Sequence, residues 1–292
     1  MGLFVVRLLC NDTSASLPQA LLQQAADALR TTSFRILVNS NPRSREKVET
    51  GDYCIRANPN RVDLNRNWDS HWREHGSCND VEWGGPNAFS EAETRLFRDV
   101  LTTFRPRVMA TIHSGNMGLY HPYAFSRSAA LSWGAQKMHT WLRQLSSATV
   151  KVPFGPAAIL NGGDCPGSGL DFAYDTLKSY SFALEIFLPE SERPPLRSRY
   201  ERLMNMTLDE LLERERHGEA LVASSWLQLG QGEVVSAASS EGEMTAAECL
   251  AFFNPTDEGT YWSVLTQWTD VLFRLTDLVG RDGCRGGLGC VS

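Results

Sequence analysis

Apolar residues recur in two rhythms along the first two thirds of the chain. In "SLPQALLQQAADALRTT" (16–32) they return every three or four positions, which predicts an amphipathic helix with Ser16 as its cap. "FRILVNSNP" (34–42) is a short apolar run into a loop and reads as a buried strand. "SEAETRLFRDVLTTF" (90–104) resumes helical spacing, and Ser90 followed by Glu93 has the form of a capping box. "RVMATIHS" (107–114) and "SYSFALEIFL" (179–188) are apolar runs of strand length, with the amphipathic helix "AALSWGAQKMHTWLRQLSS" (129–147) between them. Strands alternating with helices predict an α/β sheet with helices on both faces.

After Pro189 the pattern changes. "ERPPLRSRYERLMNMTLDELLERERHGEALV" (192–222) reads as a helix with a strongly charged, solvated face. "GQGEVVSAASSEGEM" (230–244) has the Gly/Ser/Glu content of a loop. "DEGTYWSVLTQWTDVLFRLTDLV" (257–279) is a long periodic helix expected to pack back on the sheet, followed by a glycine-rich tail. The implied organisation is a core at 1–190, a helical and loop insertion at 191–250, a closing helix at 251–280 and a loose tail at 281–292.

A length of 292 residues allows one large domain or two small ones, and 42% hydrophobic with 21% charged content is ordinary for a globular protein. The net charge of -6, with no basic stripe, argues against a nucleic-acid partner. No apolar run is long enough to predict a membrane span. The opening "MGLFVVRLLC" is broken by Arg7 and is a poor signal peptide, while Val6 departs from the myristoylation pattern. Asn11-Asp12-Thr13 and Asn205-Met206-Thr207 fit a glycosylation pattern too common to assign a compartment. The seven cysteines include no C-x-x-C pair; Cys54 and Cys78 flank a polar motif and are either bridged or two ordinary thiols.

That motif, "RVDLNRNW" (61–68), sets two arginines and two asparagines among apolar residues. Arginine's fork fits a carboxylate through two hydrogen bonds, so the mixture suits a partly dry pocket for an acidic ligand group. His113 ends one apolar strand, and Glu185 sits inside another. An unpaired buried carboxylate is costly and points to a raised pKa and general-base work.

"VDLNRNW", "FSEAET", "TIHSGNMGLYHPY", "GLDFAYD" and "YSFALEIF" follow the order and approximate spacing of one known family. The chain resembles the zinc metallocarboxypeptidases of the carboxypeptidase A/B type over roughly residues 30–188, and the helix at 257–279 resembles that family's closing helix. The resemblance implies a mixed, mostly parallel sheet flanked by helices, here lacking the first strands. It implies hydrolysis of the C-terminal bond of peptides or proteins, with one Zn2+ as cofactor. His113 matches the last of three zinc ligands, Glu185 the general base and Arg56 the arginine that meets the oxyanion. Asn65 and Arg66 match the grip on the substrate's terminal carboxylate. Leu170 and Ala124 match the specificity pocket and imply an apolar C-terminal residue.

Two departures accompany the likeness. The family's His-x-x-Glu, which supplies the other two zinc ligands, has no counterpart ahead of "GLFVVRLL", so two of the three ligands are expected to be absent and the chain to be truncated. The family's mobile tyrosine falls at or near Gly163, where no tyrosine stands. A rival metal motif, His71, Glu74 and His75 in "HWREH", needs a helix to bring its imidazoles together. A non-enzymatic alternative is an inactive module that binds peptide C-termini through Arg56, Asn65 and Arg66.

Overall fold

The computed structural model describes residues 1–13, 16–74, 82–129, 133–161, 163–192, 203–218 and 244–285. Its centre is a four-stranded mixed sheet of β1 (Val108–His113), β2 (Asn116–His121), β3 (Phe154–Pro156) and β4 (Tyr180–Phe187), in the order β1-β4-β2-β3. β1 runs parallel to β4 and β2 parallel to β3, while β2 and β4 are antiparallel. β1 and β2 are neighbours in the chain, separated by Ser114 and Gly115, yet β4 lies between them.

Alternation along β4 divides the core into two clusters. Phe182 and Leu184 face Met138, Trp141, Leu142 and Leu145 of helix α5 (Ala135–Ala148), with Trp268, Val271 and Leu275 of the C-terminal helix (Glu258–Arg285). Ala183, one residue out of phase, belongs to the opposite cluster with Tyr120, Leu170 and Leu211. Helices therefore cover both faces of a mixed sheet, as the alternating pattern predicts. Further α-helices among the described residues are α1 (Gly2–Leu9), α2 (Gln19–Leu29), α3 (Pro42–Glu49), α4 (Ala92–Phe104), α6 (Ala157–Asn161), α7 (Gly169–Asp175), α8 (Leu208–Arg216) and α9 (Ala246–Phe253); the C-terminal helix is α10. α8 buries Leu208 and Leu211 and leaves its charged face to water.

Several local expectations fail for identifiable reasons. Residues 34–38 form no strand: Phe34 and Ile36 pack against the α1 and α2 helices instead of lying beside a ladder. Pro18, not Ser16, is the N-cap of α2, since proline disfavours helical backbone in the residue before it. Ser90 does not cap α4; Glu91 is the N-cap, and Ser90 Oγ accepts from Asn67 Nδ2 and donates to Glu91 Oε1, both at 2.8 Å. Capping boxes stand instead at Thr207 with Glu210 and at Thr245 with Glu248. Helix α10 runs on past Val279 to Arg285. No helix among the described residues is long and apolar enough to cross a membrane.

Cys54 is bonded to Cys249, which overturns the pairing with Cys78, a residue outside the described set. The bridge pins α9 to the stretch that leads into Arg56.

Candidate functional site

Strand register builds the floor of the site. His113 on β1 is the in-register partner of Glu185 on β4, as Thr111 is of Ala183, and in parallel pairing these point to one face. On the other side of β4, Gly118 is the partner of Glu185. A Cβ at Gly118 would strike the ring of Tyr120, so the missing side chain lets that ring lie beside Glu185. Thr111 Oγ1 and His113 Nε2 are 2.8 Å apart, which fixes the imidazole on this face.

The motif at 61–68 closes over that floor. Leu64–Arg66 is a single 3-10 turn capped by Asp63, whose Oδ1 accepts from the Asn65 N–H at 2.9 Å. The turn aims Arg66 inward: its Nη1 donates to the Asn65 carbonyl at 3.0 Å and its Nη2 to Glu82 Oε1 at 2.8 Å. Arg56 donates twice to Asp63 Oδ2, through Nε at 3.0 Å and Nη2 at 2.8 Å. Asn65 Oδ1 accepts from the Gly169 N–H at 3.2 Å, tying the turn to the start of α7. Asp171 in α7 accepts from the backbone of Ala124 and Phe125, which brings Leu170 and Ala124 to one wall.

Gly167 makes this approach feasible. Its φ is +72°, and a Cβ there would strike the Arg66 carbonyl. Gly167→Ala is therefore expected to destabilise the fold by about 1–3 kcal/mol, read from urea unfolding. A neutral result would show that the Arg66 turn is not seated against this backbone.

The seven residues that the family resemblance assigns to the site line one pocket: Arg56, Asn65, Arg66, His113, Ala124, Leu170 and Glu185. Sequence reasoning missed Glu82, Tyr120, Cys165 and Phe253, which share its walls. Alternation in "NMGLY" could have found Tyr120; the other three reach the pocket through space from unrelated segments. Among the described residues no tyrosine reaches the pocket from the Gly163 loop, and Tyr120 on β2 is the tyrosine that lines it.

Burial makes the floor neutral. It pushes the Glu185 carboxyl up to about 8, against the opposing pull of Arg56. It pushes His113 down to about 4, and Arg56 adds to the effect. For Asp63, burial opposes the charge, but Arg56 and Arg66 outweigh it and hold the carboxyl below the usual range. Asp171 is driven up to about 7 by burial despite the N–H groups it accepts.

A zinc site needs three or four converging donors. Among the described residues no three His, Cys, Asp or Glu side chains converge in that way. Near His113, Arg56 and Arg66 are cations, and Asp63 and Glu82 are engaged by them. The described residues therefore do not fit a zinc ion. The rival motif does not supply one either: His71 lies in a bend, stacked on Phe125 and paired with Asp175 Oδ2 at 3.0 Å, and His75 is outside the described residues.

A family model described as zinc carboxypeptidase matches residues 14–196. A zinc carboxypeptidase of Simulium vittatum is 32% identical over 134 residues, covering 40% of this chain and 40% of that protein. Carboxypeptidase A2 of Mus musculus is 28% identical over 154 residues, covering 49% of this chain and 35% of that protein. The chain thus spans less than half the length of these relatives. The crystal structure of thrombin-activatable fibrinolysis inhibitor superposes with a TM-score of 0.54 at 18% identity, covering 86% of this chain and 59% of that one, which shows a shared fold.

Proposed function

Because the chain belongs to the zinc carboxypeptidase family, we propose that its pocket receives the free C-terminus of a peptide and serves hydrolysis of the last peptide bond. The observation that carries this reading is the convergence of Arg56, Asn65, Arg66, His113 and Glu185, from distant stretches of the chain, on one pocket with an apolar wall. Asn65 and Arg66 hold the terminal carboxylate. Leu170 and Ala124 surround the last side chain, which favours an apolar one. Arg56 meets the negative charge that develops on the scissile carbonyl oxygen. Glu185, with a pKa of about 8, holds and releases a proton near neutral pH, as a general acid–base group must.

A second reading is favoured by the absence of a three-donor cluster among the described residues: a zinc-free module that binds peptide C-termini without cutting them. One experiment separates the two. An N-acetylated pentapeptide ending in leucine is incubated with the protein, with and without added zinc chloride, and followed by mass spectrometry. Its affinity is measured in parallel, as free acid and as C-terminal amide. Loss of the final leucine supports the peptidase. A preference for the acid of about tenfold or more without cleavage supports the binding module. Neither cleavage nor preference rejects both.

A further inference from the structure

The arginines of this pocket already hold carboxylates. Glu82 Oε1 accepts from Arg66 Nη2 at 2.8 Å and lies 3.6 Å from Arg56 Nη2. Asp63 Oδ2 is bonded to Arg56 and lies 3.9 Å from Arg66 Nη1. Two cations and two anions balance with no ligand. Arg56 is 39% exposed, but exposure of 7% for the Arg66 side chain, 6% for Asp63 and 15% for Glu82 leaves little solvent to screen an imbalance around Arg66. A peptide carboxylate entering this cluster adds a third negative charge against two positive ones, and an uncompensated charge at such a site is costly. One resident carboxylate must give way.

Asp63 is poorly placed to do so. Its Oδ1 caps the 3-10 turn through the Asn65 N–H, and its own N–H donates to the Trp83 carbonyl. Its departure would dismantle the turn that carries Arg66. Glu82 reaches the cluster through a longer side chain with three rotatable torsions, and its carboxylate lies on the pocket wall between the two guanidinium groups.

Resting on the reading of this pocket as the seat of a peptide's C-terminus, we propose that Glu82 is an internal stand-in for that carboxylate, occupying Arg66 until a peptide displaces it. Glu82 is then a positioning residue that sets selectivity by exchange. A free C-terminus replaces one carboxylate with another and restores the charge balance. A C-terminal amide cannot, so it leaves Glu82 in place and binds only through its side chain.

The test compares wild type, Glu82→Gln and Glu82→Asp in the full chain by titration calorimetry, using the same pentapeptide as acid and as amide. Glu82→Gln is expected to bind the acid about tenfold more tightly than wild type, with amide binding unchanged. Glu82→Asp, whose carboxylate is one methylene shorter, should fall between them. If the acid binds Glu82→Gln no more tightly than wild type while the preference for acid over amide persists, Glu82 merely braces Arg66 and the proposal is overturned, though the reading of the pocket stands. If none of the three proteins distinguishes acid from amide, that reading falls and takes the proposal with it. Should Glu82→Gln fail to fold by circular dichroism, Glu82→Asp decides: acid binding no tighter than wild type overturns the proposal.

Discussion

Replacing Glu185 with glutamine is expected to stabilise the fold by about 2–4 kcal/mol at pH 8, and by almost nothing at pH 4.5. The sign follows from burial. The carboxyl's ordinary value of 4.5 is pushed up to about 8 in the folded chain. Below 4.5 it is protonated whether the chain is folded or not, and its full contribution to stability is present. Between 4.5 and 8 the unfolded chain gives up the proton while the folded chain keeps it, so stability falls as pH rises. Above 8 both states are ionised and the loss levels off. Glutamine keeps the shape and cannot ionise, so the difference between variant and wild type should open steadily across this window. Partial exposure of Glu185 places the magnitude below the full linkage value of about 1.4 kcal/mol per pH unit. Urea midpoints measured from pH 4.5 to 8.5 on both proteins give the difference directly, because other titrating groups cancel. A difference that stays flat would mean that Glu185 is already ionised against Arg56 in the folded chain.

Breaking the bridge between Cys54 and Cys249 is the second large effect. The bridge joins residues 195 apart in sequence. Removing a crosslink over so long a loop frees the unfolded chain, and the Cys54→Ala, Cys249→Ala double variant is expected to lose about 2–5 kcal/mol. Binding should weaken as well. Helix α9 carries Phe253 into the pocket, where its ring packs on Gly115, and the bridge is what fixes α9 to the Arg56 stretch. Denaturant unfolding and peptide titration of the double variant read the two consequences separately. A loss below about 1 kcal/mol with unchanged affinity would show that buried Phe252 and its neighbours hold α9 without the covalent tie.

The chemistry of this pocket was more legible in the sequence than its partnerships. Arg66, His113 and Glu185 stand out because each breaks a local apolar pattern, and burying such a group demands a reason. The strands at 108–113 and 180–187 were visible as apolar runs of the right length. What pattern could not show was anything decided through space. The register that sets His113 beside Glu185 depends on β4 entering between β1 and β2. Glu82 belongs to a polar stretch with no periodicity, yet it closes on Arg66. The run at 34–38 has strand-like residues but meets helices, and apolar content alone does not distinguish the two neighbours.

The insertion of β4 between two strands that adjoin in the chain also orders events in time. During synthesis, β1 and β2 emerge together and have no ladder to share until Tyr180–Phe187 follows, and the partner of the Arg56 stretch, Cys249, comes later still. Pairings of such long sequence separation close slowly, because the intervening chain must first be ordered. A nascent chain that stops short of Glu185 carries the arginine turn and His113 but lacks the strand that would unite them, so the pocket cannot assemble before β4 has emerged.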